Sequence, residues 1–130
     1  MGAYPLAGRV AERYAPGVNA AVPVFALPPE VTTEEVEELE PALAAELATG
    51  GPRLVVDLGR VTFQCSSGLG MLVKASKRLH ERKGGLALAR PQPGIARLLR
   101  MVGLAEVLPS YPSVDAAAAA LSGASPRAAP

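Results

Sequence analysis

The chain has 130 residues, of which 49% are hydrophobic and 19% charged, with one cysteine, one histidine and no tryptophan. One cysteine excludes an internal disulfide, one histidine argues against a zinc site, and no apolar run reaches the roughly 20 residues of a membrane helix. We therefore expect a single cytoplasmic domain with an aliphatic core, without a metal and without direct membrane insertion.

The net charge is only +1, but the charges are segregated along the chain. Residues 30–46 contain seven glutamates and no lysine or arginine, whereas residues 53–100 contain ten basic residues against Asp57 and Glu81. This distribution predicts an electrically polar molecule. The near balance of the total does not favour a polyanionic partner such as a nucleic acid.

The N-terminal part has weak patterns. Residues 9–14 alternate enough for a strand, and residues 20–27 form an apolar run in which Pro23 cannot donate to a ladder, so the pattern favours an edge strand. We assign residues 1–19 to an N-terminal segment with a possible first strand, 20–121 to the main domain and 122–130, rich in Ala, Ser and Pro, to a disordered tail.

An acidic helix follows, and Thr32 or Thr33 is expected to cap it. Its apolar stripe consists of Val36, Leu39, Leu43 and Leu47. Pro41 interrupts this stripe and predicts a kink or a split, because proline has no N–H for the helical ladder. The glutamates of the helix are interpreted as a solvated face.

The strongest pattern lies at the centre of the chain. Residues 53–58 form an apolar run typical of a strand buried on both faces, and residues 66–83 have helical spacing that ends at Gly84. Ser66 and Ser67 begin this helix, where free backbone N–H groups and the helix dipole favour an anion such as a phosphate. Serine is also a preferred N-cap, so the spacing leaves open whether these hydroxyls cap the helix or form a switch.

The later elements continue the alternation of strands and helices. Residues 86–89 predict a buried strand, residues 95–102 a helix closed by Gly103, and residues 106–108 a last short strand. Ser113 begins an alanine-rich helix that extends to Leu121. This order predicts an α/β fold with a largely parallel sheet.

A catalytic site is not indicated. Cys65 at a helix start could be an acidified nucleophile, but His80 lies fifteen residues further along the same helix, roughly 20 Å away at about 1.5 Å per residue. Phosphate-loop and dinucleotide fingerprints are missing, so we expect no enzyme and no cofactor. A basic helix face is interpreted as solvated or as a docking surface for an acidic protein; it comprises Lys74, Lys77, Arg78, Arg82 and Lys83.

The central residues resemble the STAS domain of bacterial anti-sigma-factor antagonists. The resemblance rests on residues 54–58 (LVVDL), 61–63 (VTF) and 66–70 (SSGLG), with later matches at 84–88, 95–99, 102–104 and 111–117, and it covers roughly residues 20–121. It implies a mixed, largely parallel sheet of four to five strands with helices on one face. It also implies a protein without catalytic activity.

The resemblance further implies partner switching in transcription regulation. Members of the family bind an anti-sigma serine kinase, phosphorylation of the antagonist ends the binding, and a serine phosphatase restores it. Carried over by position, the phosphoacceptor is Ser66. The implied partner-binding surface consists of Cys65, Ser66, Ser67, Gly68, Leu69 and Lys74.

Two departures from the family pattern keep alternatives open. Cys65 stands where the family usually has aspartate, and the Pro28-Pro29-Glu30-Val31 stretch replaces an early loop. One alternative is a STAS scaffold or transporter-associated subunit that is never phosphorylated. Another is a redox sensor based on Cys65.

Overall fold

In a computed structural model of the chain, residues 10–14, 21–49 and 51–122 are described. Seven strands and four helices follow one another in these ranges. They are β1 (Val10–Tyr14), β2 (Ala21–Ala26), β3 (Glu30–Val31), α1 (Thr33–Thr49), β4 (Arg53–Asp57), β5 (Phe63–Gln64), α2 (Ser66–Glu81), β6 (Gly85–Ala89), α3 (Pro93–Met101), β7 (Ser110–Tyr111) and α4 (Val114–Ser122).

The main sheet has five strands in the order β1-β2-β4-β6-β7. β1 is antiparallel to β2, whereas the β2–β4, β4–β6 and β6–β7 pairs are parallel. A second sheet of two short parallel strands is formed by β3 and β5. The predicted α/β class with a largely parallel sheet is confirmed, and the strand expected near residues 9–14 is present as β1.

Apolar side chains cover both faces of the main sheet. Leu54 and Val56 of β4 belong to the core under α1, α2 and α3, whereas Val55 between them belongs to a second cluster with Val114 and Ala117 of α4. The expectation that the helices share one face therefore holds for three helices and is wrong for α4. β4 is apolar at every central position, so its successive side chains point to both faces of the sheet and both faces must be buried. The alanines of α4 pack on the face opposite to α1, α2 and α3.

Two strand predictions need correction. β2 is an interior strand between β1 and β4, and Pro23 lies opposite Glu12 of the antiparallel neighbour. β4 pairs only with residues 24–26 of β2, so at Pro23 the strand has a neighbour on one side alone and the missing N–H costs no ladder hydrogen bond to β4. The last strand is β7 rather than residues 106–108, where only Leu108 is buried and Glu106 and Val107 are exposed.

The helix ends are set by specific groups. Thr32 precedes α1 and accepts a hydrogen bond from the Glu35 N–H at 3.3 Å, and α1 runs without a break through exposed Pro41. Ser113, predicted as the first residue of α4, lies just before it and caps it by accepting from the Ala116 N–H at 3.0 Å. After α2 the left-handed residue is Lys83, with φ of 65°, so this helix ends slightly before the predicted position.

Some predictions fall where the structure gives no description. Residues 1–9, 15–20 and 123–130 lie outside the described residues, and with them most of the predicted N-terminal segment and tail. The domain boundaries at residues 19 and 121 stay predictions. None of the helices in the described ranges combines the length and the hydrophobicity that a membrane span needs.

Gly84 is required by the close approach of two backbone segments. A Cβ atom at Gly84 would lie 1.7 Å from the carbonyl oxygen of Pro52, and the next residue donates from its N–H to that oxygen at 2.9 Å. This contact sets the start of β6 beside the start of β4. A side chain cannot move aside here, because the obstructing atom belongs to the backbone.

We therefore predict that Gly84→Ala lowers the free energy of unfolding by about 2 kcal/mol or more, within the range of severe overpacking. Urea denaturation measures the loss. Gly51→Ala is the matched control, because a Cβ there meets nothing within 4 Å. Equal stability of the two variants would contradict the close approach.

Candidate functional site

The start of α2 is anchored to the segment before α1. Glu30 and Val31 of β3 pair with residues 63 and 64 of β5. Two further backbone hydrogen bonds flank this pair: the Cys65 N–H donates to the Val31 carbonyl at 3.0 Å, and the Thr62 N–H donates to the Pro29 carbonyl at 2.8 Å. Each helix begins two residues after its short strand, and these strands are parallel. The N-termini of α1 and α2 consequently leave the small sheet on the same side, next to each other.

Cys65 is the N-cap residue of α2. Its backbone is extended, its carbonyl accepts from the N–H groups of Gly68 and Leu69, and its side chain makes no capping hydrogen bond. Because Cys65 holds the cap position, Ser66 and Ser67 are the first two helical residues and neither is the N-cap. The sequence left open whether the serine hydroxyls cap the helix or form a switch. The structure excludes the N-cap position for both serines.

The Cys65 thiol lies among hydroxyl groups. Its Sγ is 3.1 Å from the Ser67 Oγ. A hydrogen bond from Ser67 lowers the pKa of the thiol, burial opposes this effect, and the Gly68 N–H and the Thr33 hydroxyl lower the pKa further. The half-buried thiol therefore has more thiolate character than an ordinary cysteine, with both helix N-termini beside it.

Ser66 differs from its neighbours in having no internal role. It is exposed in the first turn of α2, and its hydroxyl forms no hydrogen bond with any described residue. In that turn the backbone N–H groups have no intrahelical acceptor. An anionic group attached to Ser66 would therefore be held close to donors and to the positive end of the helix dipole.

Gly68 and Leu69 were expected on the partner-binding surface but are buried. Leu69 is 7% exposed and belongs to the main core. A Cβ at Gly68 would lie 2.9 Å from Val31 Cγ1, so only glycine lets the first turn of α2 settle on β3. These two residues lie beneath the exposed hydroxyls and have no place on the accessible surface.

Gln64 is buried beside the same turn. Only 6% of it is exposed, and neither its Nε2 nor its Oε1 has a hydrogen-bond partner in the described part of the chain. Its Nε2 lies 3.3 Å from the position that a Cβ atom would occupy at Gly68. Sequence analysis could not have found this residue, because a single amide between two apolar elements has no diagnostic spacing.

Lys74, the remaining predicted site residue, is exposed two turns after Ser67. Its Nζ lies 3.6 Å from Glu40 Oε2 of α1; the Lys74 side chain is largely in solvent and the Glu40 side chain is partly exposed. Such an exposed ion pair contributes little to stability and breaks at low cost. The structure thus brings Ser66, Ser67 and Lys74 onto one exposed face of α2.

A second group of residues, not found from the sequence, fixes the connection between β4 and β5. Arg90 donates to both carboxylate oxygens of Asp57 at 3.0 Å, Asp57 accepts from the Gly59 N–H at 2.9 Å, and Gln92 donates to the Gly59 carbonyl at 3.0 Å. The hydrogen bonds and charge of Asp57 raise the pKa of Arg90. Bidentate geometry of this kind is specific to arginine and restrains the loop that leads to Cys65.

The fold and the exposed serine turn define a small α/β domain whose second helix presents hydroxyls and basic side chains at its surface. Among the described residues no group of three or more His, Cys, Asp or Glu could hold a metal ion. A family model described as "Mlab, STAS domain" matches residues 17–109. The chain belongs to the STAS domain family, and the resemblance noted in its sequence is confirmed.

Known proteins of this family are similar along most of the chain. BtrV of Bordetella bronchiseptica, named as an anti-sigma factor antagonist, is 35% identical over 97 residues, covering 75% of this chain and 84% of that protein. A STAS domain protein of Planctomyces limnophilus, titled an anti-sigma-factor antagonist, is 26% identical with a TM-score of 0.71, covering 86% of this chain and 96% of that one.

The fold is also that of SpoIIAA, a Bacillus cell fate determinant whose structure is titled as the phosphorylated form. The identity is 19% and the TM-score 0.60, with 82% of this chain and 95% of that chain covered. Similarity at this level concerns the fold alone.

The hydrogen bond between Ser67 and Cys65 can be tested by thiol reactivity. We predict that Ser67→Ala raises the pH at which iodoacetamide alkylates Cys65 at half its maximal rate, because the thiolate loses the donor that stabilises it most. Mass spectrometry after timed labelling measures the rate. Ser66→Ala is the control and should leave the profile unchanged; a shift of equal size in both variants would refute the assignment.

The packing of Gly68 on Val31 gives a second prediction. Gly68→Ala should lower the free energy of unfolding by about 1–2 kcal/mol, because overpacking exceeds the helix propensity gained. In a Val31→Ala background, which removes the obstructing Cγ1, the same change should cost much less. Urea denaturation of the four proteins gives the coupling energy, and additive effects would contradict the contact.

Proposed function

We propose that the chain is an anti-sigma factor antagonist that binds an anti-sigma factor of the serine kinase type and releases it when Ser66 is phosphorylated. A serine phosphatase then returns the chain to its binding form. The observation that carries this proposal is the exposed Ser66 hydroxyl in the first turn of α2, unbonded within the described residues. A kinase can modify such a hydroxyl without breaking an interaction of the fold.

Phosphorylation at this position acts on the surface and not on the fold. A phosphate adds about 1.5 to 2 negative charges, which the dipole and free N–H groups of a helix N-terminus tolerate. The core residues of α2, such as Leu72 and Leu79, lie on the opposite side of the helix. The modified domain therefore stays folded, and the new charge and bulk impair the docking of a partner.

The comparisons support the proposal at two levels. BtrV, of which this chain covers 84%, bears the name of an anti-sigma factor antagonist. SpoIIAA, whose fold this chain has, is titled as a phosphorylated form. In this chain the serine pair begins a helix, where a phosphate would meet backbone N–H groups without intrahelical acceptors.

Cys65 replaces the aspartate of the usual family corner and changes the local charge. A carboxylate next to Ser66 would be ionised permanently at neutral pH, whereas a thiol is ionised only in part. The hydrogen bond from Ser67 lowers the pKa of Cys65 and so moves the thiol toward the anionic state. The corner keeps part of the electrostatic character that aspartate would give it.

The switch predicts opposite behaviour of two Ser66 variants. Ser66→Asp should weaken binding to the anti-sigma factor by about 100-fold or more, since like charges at an interface cost several kcal/mol, whereas Ser66→Ala should bind as the wild type does. The probes are the serine-kinase-type anti-sigma factors of the same genome, purified and titrated one at a time by calorimetry. With ATP added, mass spectrometry locates the phosphate.

Phosphate on a residue other than Ser66, or equal affinities of Ser66→Asp and the wild type, would contradict the switch. Equal affinities would favour the constitutive scaffold or transporter-associated subunit, to which the loss of a fixed carboxylate at Cys65 also points. Ser67→Ala serves as the control for phosphorylation and should be modified at Ser66 at the rate of the wild type.

A further inference from the structure

Gly70 is a glycine that the fold itself does not require. It lies inside α2, where glycine is less favourable than alanine, and it is exposed. A Cβ at Gly70 would meet nothing within 4 Å, in contrast to Gly68, whose missing Cβ makes room for Val31. The packing of the described residues therefore gives no reason for glycine here. A residue without a side chain on an exposed helix face permits another backbone to come close.

The exposed face of α2 that follows Gly70 carries positive charge, and Glu37 and Glu40 of α1 line the same groove as Lys74 and Arg78. Lys74, Lys77 and Arg78 follow it at spacings that place them on the same side of the helix, and all three are exposed. Within the described part of the chain neither Lys77 nor Arg78 forms an ion pair, and Lys74 forms only the exposed one with Glu40. α2 carries no acidic residue before Glu81.

We propose that this face of α2, which we call the Gly70 face, binds an acidic segment of the anti-sigma factor. The Gly70 face consists of Ser66, Ser67, Gly70, Lys74, Lys77 and Arg78. The backbone of the acidic segment contacts Gly70, and its carboxylates pair with Lys74, Lys77 and Arg78. This inference rests on the proposed function and adds to it the contact surface and the chemistry of the partner.

The same surface accounts for the direction of the switch. Ser66 and Gly70 are one helical turn apart, so their α-carbons are separated by about 6 Å. A phosphate on Ser66 consequently stands beside the approaching backbone and repels the carboxylates next to it. A basic segment in that position would instead be attracted by the phosphate, and phosphorylation would strengthen the complex.

The test uses the full chain and the serine-kinase-type anti-sigma factor that binds the wild type in the titrations above. Gly70→Gln should weaken binding at least 10-fold while the melting temperature stays equal or rises, since glutamine is the better helix former. Gly94→Gln is the matched control, because Gly94 is also helical and exposed and its Cβ also meets nothing within 4 Å. It should bind as the wild type does.

Charge is tested separately. Lys77→Glu should weaken binding at least 10-fold and reduce its dependence on salt, whereas Arg97→Glu on exposed α3 should do neither. Binding that is lost with Ser66→Asp but kept with Gly70→Gln and Lys77→Glu would overturn the Gly70 face and leave the proposed function standing. A wild type that binds none of the anti-sigma factors would overturn both.

Discussion

The pairing of two very short strands, β3 and β5, organises the functional end of this domain. Its backbone hydrogen bonds join the chain before α1 to the chain before α2, so that two helices distant in sequence begin side by side. Main-chain contacts of this kind do not depend on the identity of the side chains above them. The position of the first turn of α2 is thus fixed by the main chain, and the exposed side chain of Ser66 takes no part in fixing it.

One side of α2 is packed in the core and the other side is exposed to solvent. Leu69, Leu72 and Leu79 fix it to the sheet, whereas the outward positions hold hydroxyls, a glycine and basic residues that contribute almost nothing to packing. Because these contributions are separate, a change of charge on the outside costs the fold little. A regulatory modification needs this separation, since a switch that unfolded its carrier could not be reset.

Much of this arrangement could be predicted from the sequence, and the failures have physical causes. β4 was predicted from its almost unbroken apolar run and α2 from its helical spacing, and the serine corner placed the start of α2 near Ser66. β3 and β5 have two residues each, which is too short for any period, and their pairing spans 33 positions of the chain. The interior position of β2 was missed because proline excludes only some positions of a ladder. The position of α4 was missed because helical periodicity does not show which face of a sheet a helix covers.

The unpartnered amide of Gln64 has a consequence for how this corner behaves. Burying an amide without hydrogen bonds costs roughly 1–3 kcal/mol, and this cost is recovered as soon as water reaches the group. Local opening is therefore least costly where Gln64 lies, beneath the first turn of α2, compared with parts of the core that are wholly apolar. In the switch proposed above, a kinase would engage Ser66 in the turn that lies over this amide.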